Sequence, residues 1–149
     1  MLRGNLIHAE ILEALGTAGH GSRVLIADGN YPASTALGPN AVLVSLNLSP
    51  GIVSCTQVLE SLLSMMPVEA AAVMEYYREG PYALSEDPPV WDEYREILGA
   101  FQQPSDLEEI ERFAFYEASK EEDVCLTIQT ADQRVYANLL LTIGVIMPA

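Results

Sequence analysis

Histidine and cysteine are scarce in this chain, with two of each among 149 residues. Two histidines and two scattered cysteines supply no zinc-ligand spacing. Neither Cys55 nor Cys125 belongs to a CxxC. Both lie in apolar runs, as buried, reduced thiols of a reducing compartment do. Cations are scarce too: 7 Lys and Arg stand against 21 Asp and Glu, a net charge of -14. Such a field repels phosphate backbones and anionic lipid heads, so neither nucleic acid nor a membrane surface is an expected partner. A neutral small molecule is untouched by that argument. The opening "MLRGNLIHAE" lacks the apolar core of a signal peptide. The longest apolar stretch, "NLLLTIGVIMPA", is too short and too broken by Gly and Pro to span a bilayer. The expected location is therefore the cytoplasm. Also missing are a GxSxG elbow, a GxGxxG after a strand, a phosphate-binding P-loop and the alternating ligands of a calcium loop. Chemistry on a small molecule without metal or cofactor is the expectation that remains.

What is present reads as one globular domain over residues 1–149, long enough to bury a single core. Half the residues are hydrophobic and 19% are charged, an ordinary soluble mix. The negative charge is concentrated, since Glu79–Asp123 holds 14 acidic residues opposed only by Arg95, Arg112 and Lys120. A solvated face explains that run. "NLIHAEILEALGTAG" carries apolar residues at helical spacing and ends in glycines suited to a C-cap. "RVLIAD" and "AVLVSL" read as buried strands. "SPGIVSCTQVLESLLSMM" predicts a helix with Ser49 as N-cap and Pro50 at the first turn. "VEAAAVMEYY" suits a helix by composition and a core strand by position. A further helix begins near Pro89 with Trp91, Tyr94, Ile97 and Leu98 inward. "FYEASKEE" gives a short helix, and "DVCLTIQT" and "YANLLLTIGV" give strands. The alternation predicts an α/β three-layer sandwich with a mostly parallel sheet. Ligands of such sheets bind beyond the carboxyl ends of the strands.

Asp28 sits at that end of the first predicted strand, followed by the loop "GNYPAS". It is either a turn cap or a ligand-binding carboxylate. His20 lies between Gly19 and Gly21, just past a helix end. It is either punctuation or an acid/base group able to hold or release a proton near neutral pH. Arg112, in "RFAFYE", either offsets Glu109 or Glu111 or donates to ligand oxygens. Tyr136 and Asn138, in "VYAN", alternate at the entry to a strand and so share a side. A phenol and an amide on one wall suit sugar hydroxyls, and suit a satisfied buried pair equally.

Together "GHGS", "ADGNYPA", "RFAFYE" and "VYANLLLTIGV", in that order, resemble the D-ribose pyranase / L-fucose mutarotase family, with "RFAFYE" nearer its fucose branch. The resemblance spans nearly the whole chain, although "REGPYALSEDPPVWDEYREILGAFQQPSD" has no close match. It implies a cofactor-free, metal-free isomerase that interconverts the anomers of L-fucose or a similar monosaccharide. It also implies a homo-oligomer, ring or decamer-like, with sites near subunit boundaries. By the same resemblance His20 is the proton donor, and Asp28, Arg112 and Tyr136-Ala137-Asn138 bind the sugar. The chemistry adds an ionised Asp28 orienting the sugar or His20, and Tyr136 as a second proton relay. A non-catalytic sugar-binding or regulatory module with the same pocket is the alternative, and an assembly protein with an incidental pocket is a third reading.

Overall fold

Strand β1, Arg23–Ala27, is apolar on both faces because it lies in the middle of a sheet covered on both sides. Val24 and Ile26 enter one hydrophobic cluster while Leu25 and Ala27 enter another, the two-residue alternation of a pleated strand. The computed structural model describes residues 1–149, with four helices and a six-stranded sheet ordered β2-β5-β1-β6-β3-β4. The other strands are β2 (Val42–Ser45), β3 (Val68–Met74), β4 (Leu107–Ile110), β5 (Val124–Gln129) and β6 (Leu139–Ile143). Parallel pairing joins β2 to β5, β5 to β1 and β3 to β4, whereas β6 runs antiparallel to both β1 and β3. The sheet is thus mixed, with β6 alone reversed.

Helices α1 (Ala9–Thr17), α2 (Cys55–Leu63) and α3 (Pro89–Ala100) supply the larger cluster on one face, centred on Trp91, Tyr94, Leu59 and Leu62. The opposite layer is thinner. It consists of α4 (Arg112–Ser119), through Phe115, and the loop bearing Tyr31, Ala33 and Ala36. No helix is long and apolar enough to cross a membrane.

Two local expectations need correction, and one open reading is decided. Helix α2 starts at Cys55, not near Pro50. Ser54 accepts from the Gln57 N–H while the Gln57 side chain accepts from the Ser54 N–H, a reciprocal cap that fixes the start. Residues 49–52 instead form a tight turn, with the Ile52 N–H on the Ser49 carbonyl. "VEAAAVM" is a strand despite its helical composition, because burial on both faces overrides propensity. The last strand begins at Leu139, so Tyr136 and Asn138 lie in the loop before it. Tyr136 there has φ 55°, a left-handed conformation incompatible with strand alternation.

Candidate active site

The carboxyl ends of β1 and β3 meet the start of the antiparallel β6, and beside them lies a cavity of about 620 Å³. Asp28, Arg112, Tyr136 and Asn138, up to 110 residues apart, all line it. Tyr31, Met74, Tyr116 and the segment Pro81–Leu84 complete the walls. A second, polar hollow of about 420 Å³ lies around Asn47, Ser49 and Gln133. Its one carboxylate, Asp132, is locked to the Arg134 guanidinium by two hydrogen bonds at 3.0 and 2.7 Å, and to the Arg134 N–H by a third, which leaves that hollow without a free ionisable group.

Asp28 is only 3% exposed. Burial raises its carboxyl pKa to about 6, against the opposing pull of backbone N–H groups at Asn30, Ala137 and Tyr31 and with a small contribution from the Asp132 charge. The Asn30 N–H donates to Oδ1 at 2.9 Å, and the Asp28 N–H donates to Asn138 Oδ1 at 2.8 Å. Asp28 and Asn138 are therefore one rigid unit clamped across β1 and β6. Position 29 is tight, since a Cβ there would lie 3.0 Å from the Asp132 carbonyl oxygen and the backbone would have to give slightly. With its pKa at about 6 the carboxyl still ionises by neutral pH, as expected, yet lies close enough to that range for proton transfer to be efficient.

Arg112 is the first residue of α4. Glu111, one of its two expected ion partners, instead caps the helix by accepting from the Ala114 N–H at 3.0 Å. Glu109, the other, faces Arg78 at 3.8 Å. The Arg112 guanidinium lies against the Tyr77 and Tyr116 rings, 5.6 and 5.8 Å from their centroids. Its Nε is buried and makes no hydrogen bond. A buried, unpartnered donor is costly, and a ligand oxygen would satisfy it.

The Tyr136-Ala137-Asn138 loop is held from behind by α3. Trp91 Nε1–H donates to the Tyr136 carbonyl at 3.0 Å, and the Tyr94 hydroxyl donates to that of Ala137. The Ala137 side chain is fully buried, so only its backbone serves the loop.

His20 is not in this cavity. It precedes β1, whereas Asp28 follows it, and the strand between them spans about 17 Å. Its carboxylate neighbour is Glu69, at the start of β3, 2.9 Å from Nε2. The His20 side chain is 58% exposed. Gly21, at φ 83°, makes the turn that presents it. Within one chain the expected His20–Asp28 partnership does not form.

The profile of the RbsD / FucU transport protein family matches residues 1–146. The chain belongs to that family. The fucose mutarotase of Homo sapiens is 32% identical, over 95% of this chain and 90% of its own length. The Danio rerio fucose mutarotase is 30% identical, over 97% and 92% respectively. The Streptococcus pneumoniae fucose mutarotase, solved in complex with L-fucose, is 25% identical and superposes with a TM-score of 0.80, covering 99% of this chain and all of its own. Membership of the family fits the polar set at the sheet's carboxyl edge. Sequence reasoning missed Tyr31, Tyr116 and the Pro81–Leu84 wall. An aromatic directly after "DGN" was the one available hint.

Proposed function

We propose that this protein is a monosaccharide mutarotase acting on L-fucose or a closely similar sugar, by general acid/base opening and closure of the ring. The observation that carries this reading is Asp28: a carboxyl with pKa near 6, buried in a cavity that also holds the unpartnered Arg112 Nε. A base takes the proton of the anomeric hydroxyl as the bond from C1 to the ring oxygen breaks, and that oxygen gains a proton. The open aldehyde turns about its C1–C2 bond and recloses on either face, with the protons returned. No electrons are exchanged. Asp28 is suited to the base role, and Arg112 and Asn138 to holding the hydroxyls. The similarity to mutarotases, one of them solved with L-fucose, supports the substrate class. A non-catalytic binder would not need a titrating carboxyl in its cavity, which favours the enzyme reading over it.

His20 enters this scheme as the proton donor to the ring oxygen only if a second copy brings it. It is exposed at one end of the sheet and the cavity opens at the other. Joining unlike ends is a heterologous contact, and such contacts form a ring when the rotation between neighbours closes. The proposed unit is therefore a ring-forming homo-oligomer with each site shared between neighbours.

Saturation-transfer NMR tests the activity. Micromolar protein is expected to speed exchange between the α and β anomer signals of L-fucose, and more so than those of D-ribose, D-galactose or L-rhamnose. No acceleration across that panel sinks the proposal.

A further inference from the structure

The Tyr136 hydroxyl is engaged twice within the protein, and its single proton is already donated. It accepts from the Tyr77 N–H and donates to the Tyr82 carbonyl, both at 3.2 Å. Those partners belong to one loop, Tyr77–Leu84, which closes on itself through the Leu84 N–H on the Tyr77 carbonyl at 2.9 Å. The same loop places the Tyr77 ring against the Arg112 guanidinium. Pro81, Ala83 and Leu84 line the cavity, with Met74 and Val135 beside them. The cavity therefore combines two chemistries. The strand ends and α4 give carboxyl, amide and guanidinium groups, while the loop gives apolar side chains.

We propose that the Tyr77–Leu84 loop is the wall that selects the sugar, that Tyr136 is the positioning residue fastening it to the cavity, and that the apolar side chains favour a deoxy carbon over its hydroxylated counterpart. The inference rests on the sugar-binding reading above. A methyl group against Pro81 and Leu84 loses nothing on leaving water. A hydroxyl there gives up its hydrogen bonds to water, a difference of about 10- to 100-fold in affinity. Tyr136, engaged by both ends of the loop, acts on the sugar through that loop rather than as a proton relay.

L-galactose is L-fucose with a hydroxyl on C6, and the pair isolates this difference. In NMR titrations of the full chain, the wild type is expected to bind L-fucose about 10-fold or more tightly than L-galactose. Leu84→Asn is expected to bring the two within a few-fold. Should that variant not fold, Leu84→Ala, which buries no new polar group, carries the comparison with the same narrowing. Tyr136→Phe is expected to speed amide hydrogen exchange at Leu84 by about 10-fold and to raise KM more than it lowers kcat. Equal affinities in the wild type, a ratio unmoved by the folded Leu84 variants, or unchanged Leu84 exchange with the loss confined to kcat each overturn the proposal. Affinity and amide exchange require no turnover, so a wild type that binds L-fucose without accelerating its exchange defeats the mutarotase reading alone.

Discussion

Asp28 carries opposite consequences for stability and for catalysis. Its carboxyl is raised to about 6 by burial, so the folded state favours the neutral acid. That contribution to stability is complete below about pH 4 and is lost as pH rises through 6, where ionisation must occur inside the protein. Asp28→Asn keeps a side-chain oxygen for the Asn30 N–H and never ionises. The variant is expected to match the wild type in stability near pH 4 and to exceed it by up to about 3 kcal/mol above pH 7. Thermal unfolding at the two pH values measures the difference, and a constant difference across that range contradicts the raised pKa. The same substitution is expected to remove roughly 10²–10⁴-fold of the anomer-exchange rate, and the wild-type rate to decline as pH falls through about 6. Asp28, Tyr136 and Asn138 stood out in the sequence beside turn residues and predicted strand ends, and Arg112 as one of few cations in an acidic segment, but only the family resemblance grouped them. Their electrostatics were not legible there, because Asp28 is buried only once residues as distant as Met74, Arg112 and Asn138 are brought around one cavity.

At the scale of elements, α3 does more than fill the core. Its inward face was legible from the spacing of Trp91, Tyr94 and Leu98, all fully buried. Its grip on the Tyr136 and Ala137 carbonyls was not, since no periodicity reports a partner more than 40 residues away. Trp91→Phe keeps most of the apolar bulk and leaves the Tyr136 carbonyl unpaired. It is expected to cost about 2 kcal/mol, lowering Tm by roughly 4–8 °C, and to weaken L-fucose binding because the loop loosens. An unchanged affinity in that variant means the loop does not depend on α3. Strand β4 escaped sequence reasoning for a physical reason. It is an edge strand reading Leu-Glu-Glu-Ile, with both glutamates exposed, and so lacks the apolar alternation of an inner strand. The start of α2 was misplaced because Ser49-Pro50 and Ser54-x-x-Gln57 are both start signals, and the second satisfies two backbone groups at once.

For the whole molecule, the two halves of the proposed site lie at opposite ends of one sheet. Exposed apolar residues accompany both: Ile146 and Met147 follow β6 on the His20 side, while Tyr82 and Val135 stand by the cavity. Local sequence pattern places His20 and Asp28 eight residues apart and invites a contact. A strand between them forbids it within one chain, and in the proposed ring a second copy would restore it. The most direct test is the anomer-exchange rate of L-fucose in a 1:1 co-refolded mixture of His20→Ala and Asp28→Asn proteins. Each variant alone is expected to be inactive. In a ring with shared sites, random mixing pairs an intact Asp28 cavity with an intact His20 at about a quarter of the boundaries, so about a quarter of wild-type activity returns. A mixture as inactive as its components, measured beside an active wild type treated in the same way, contradicts the account.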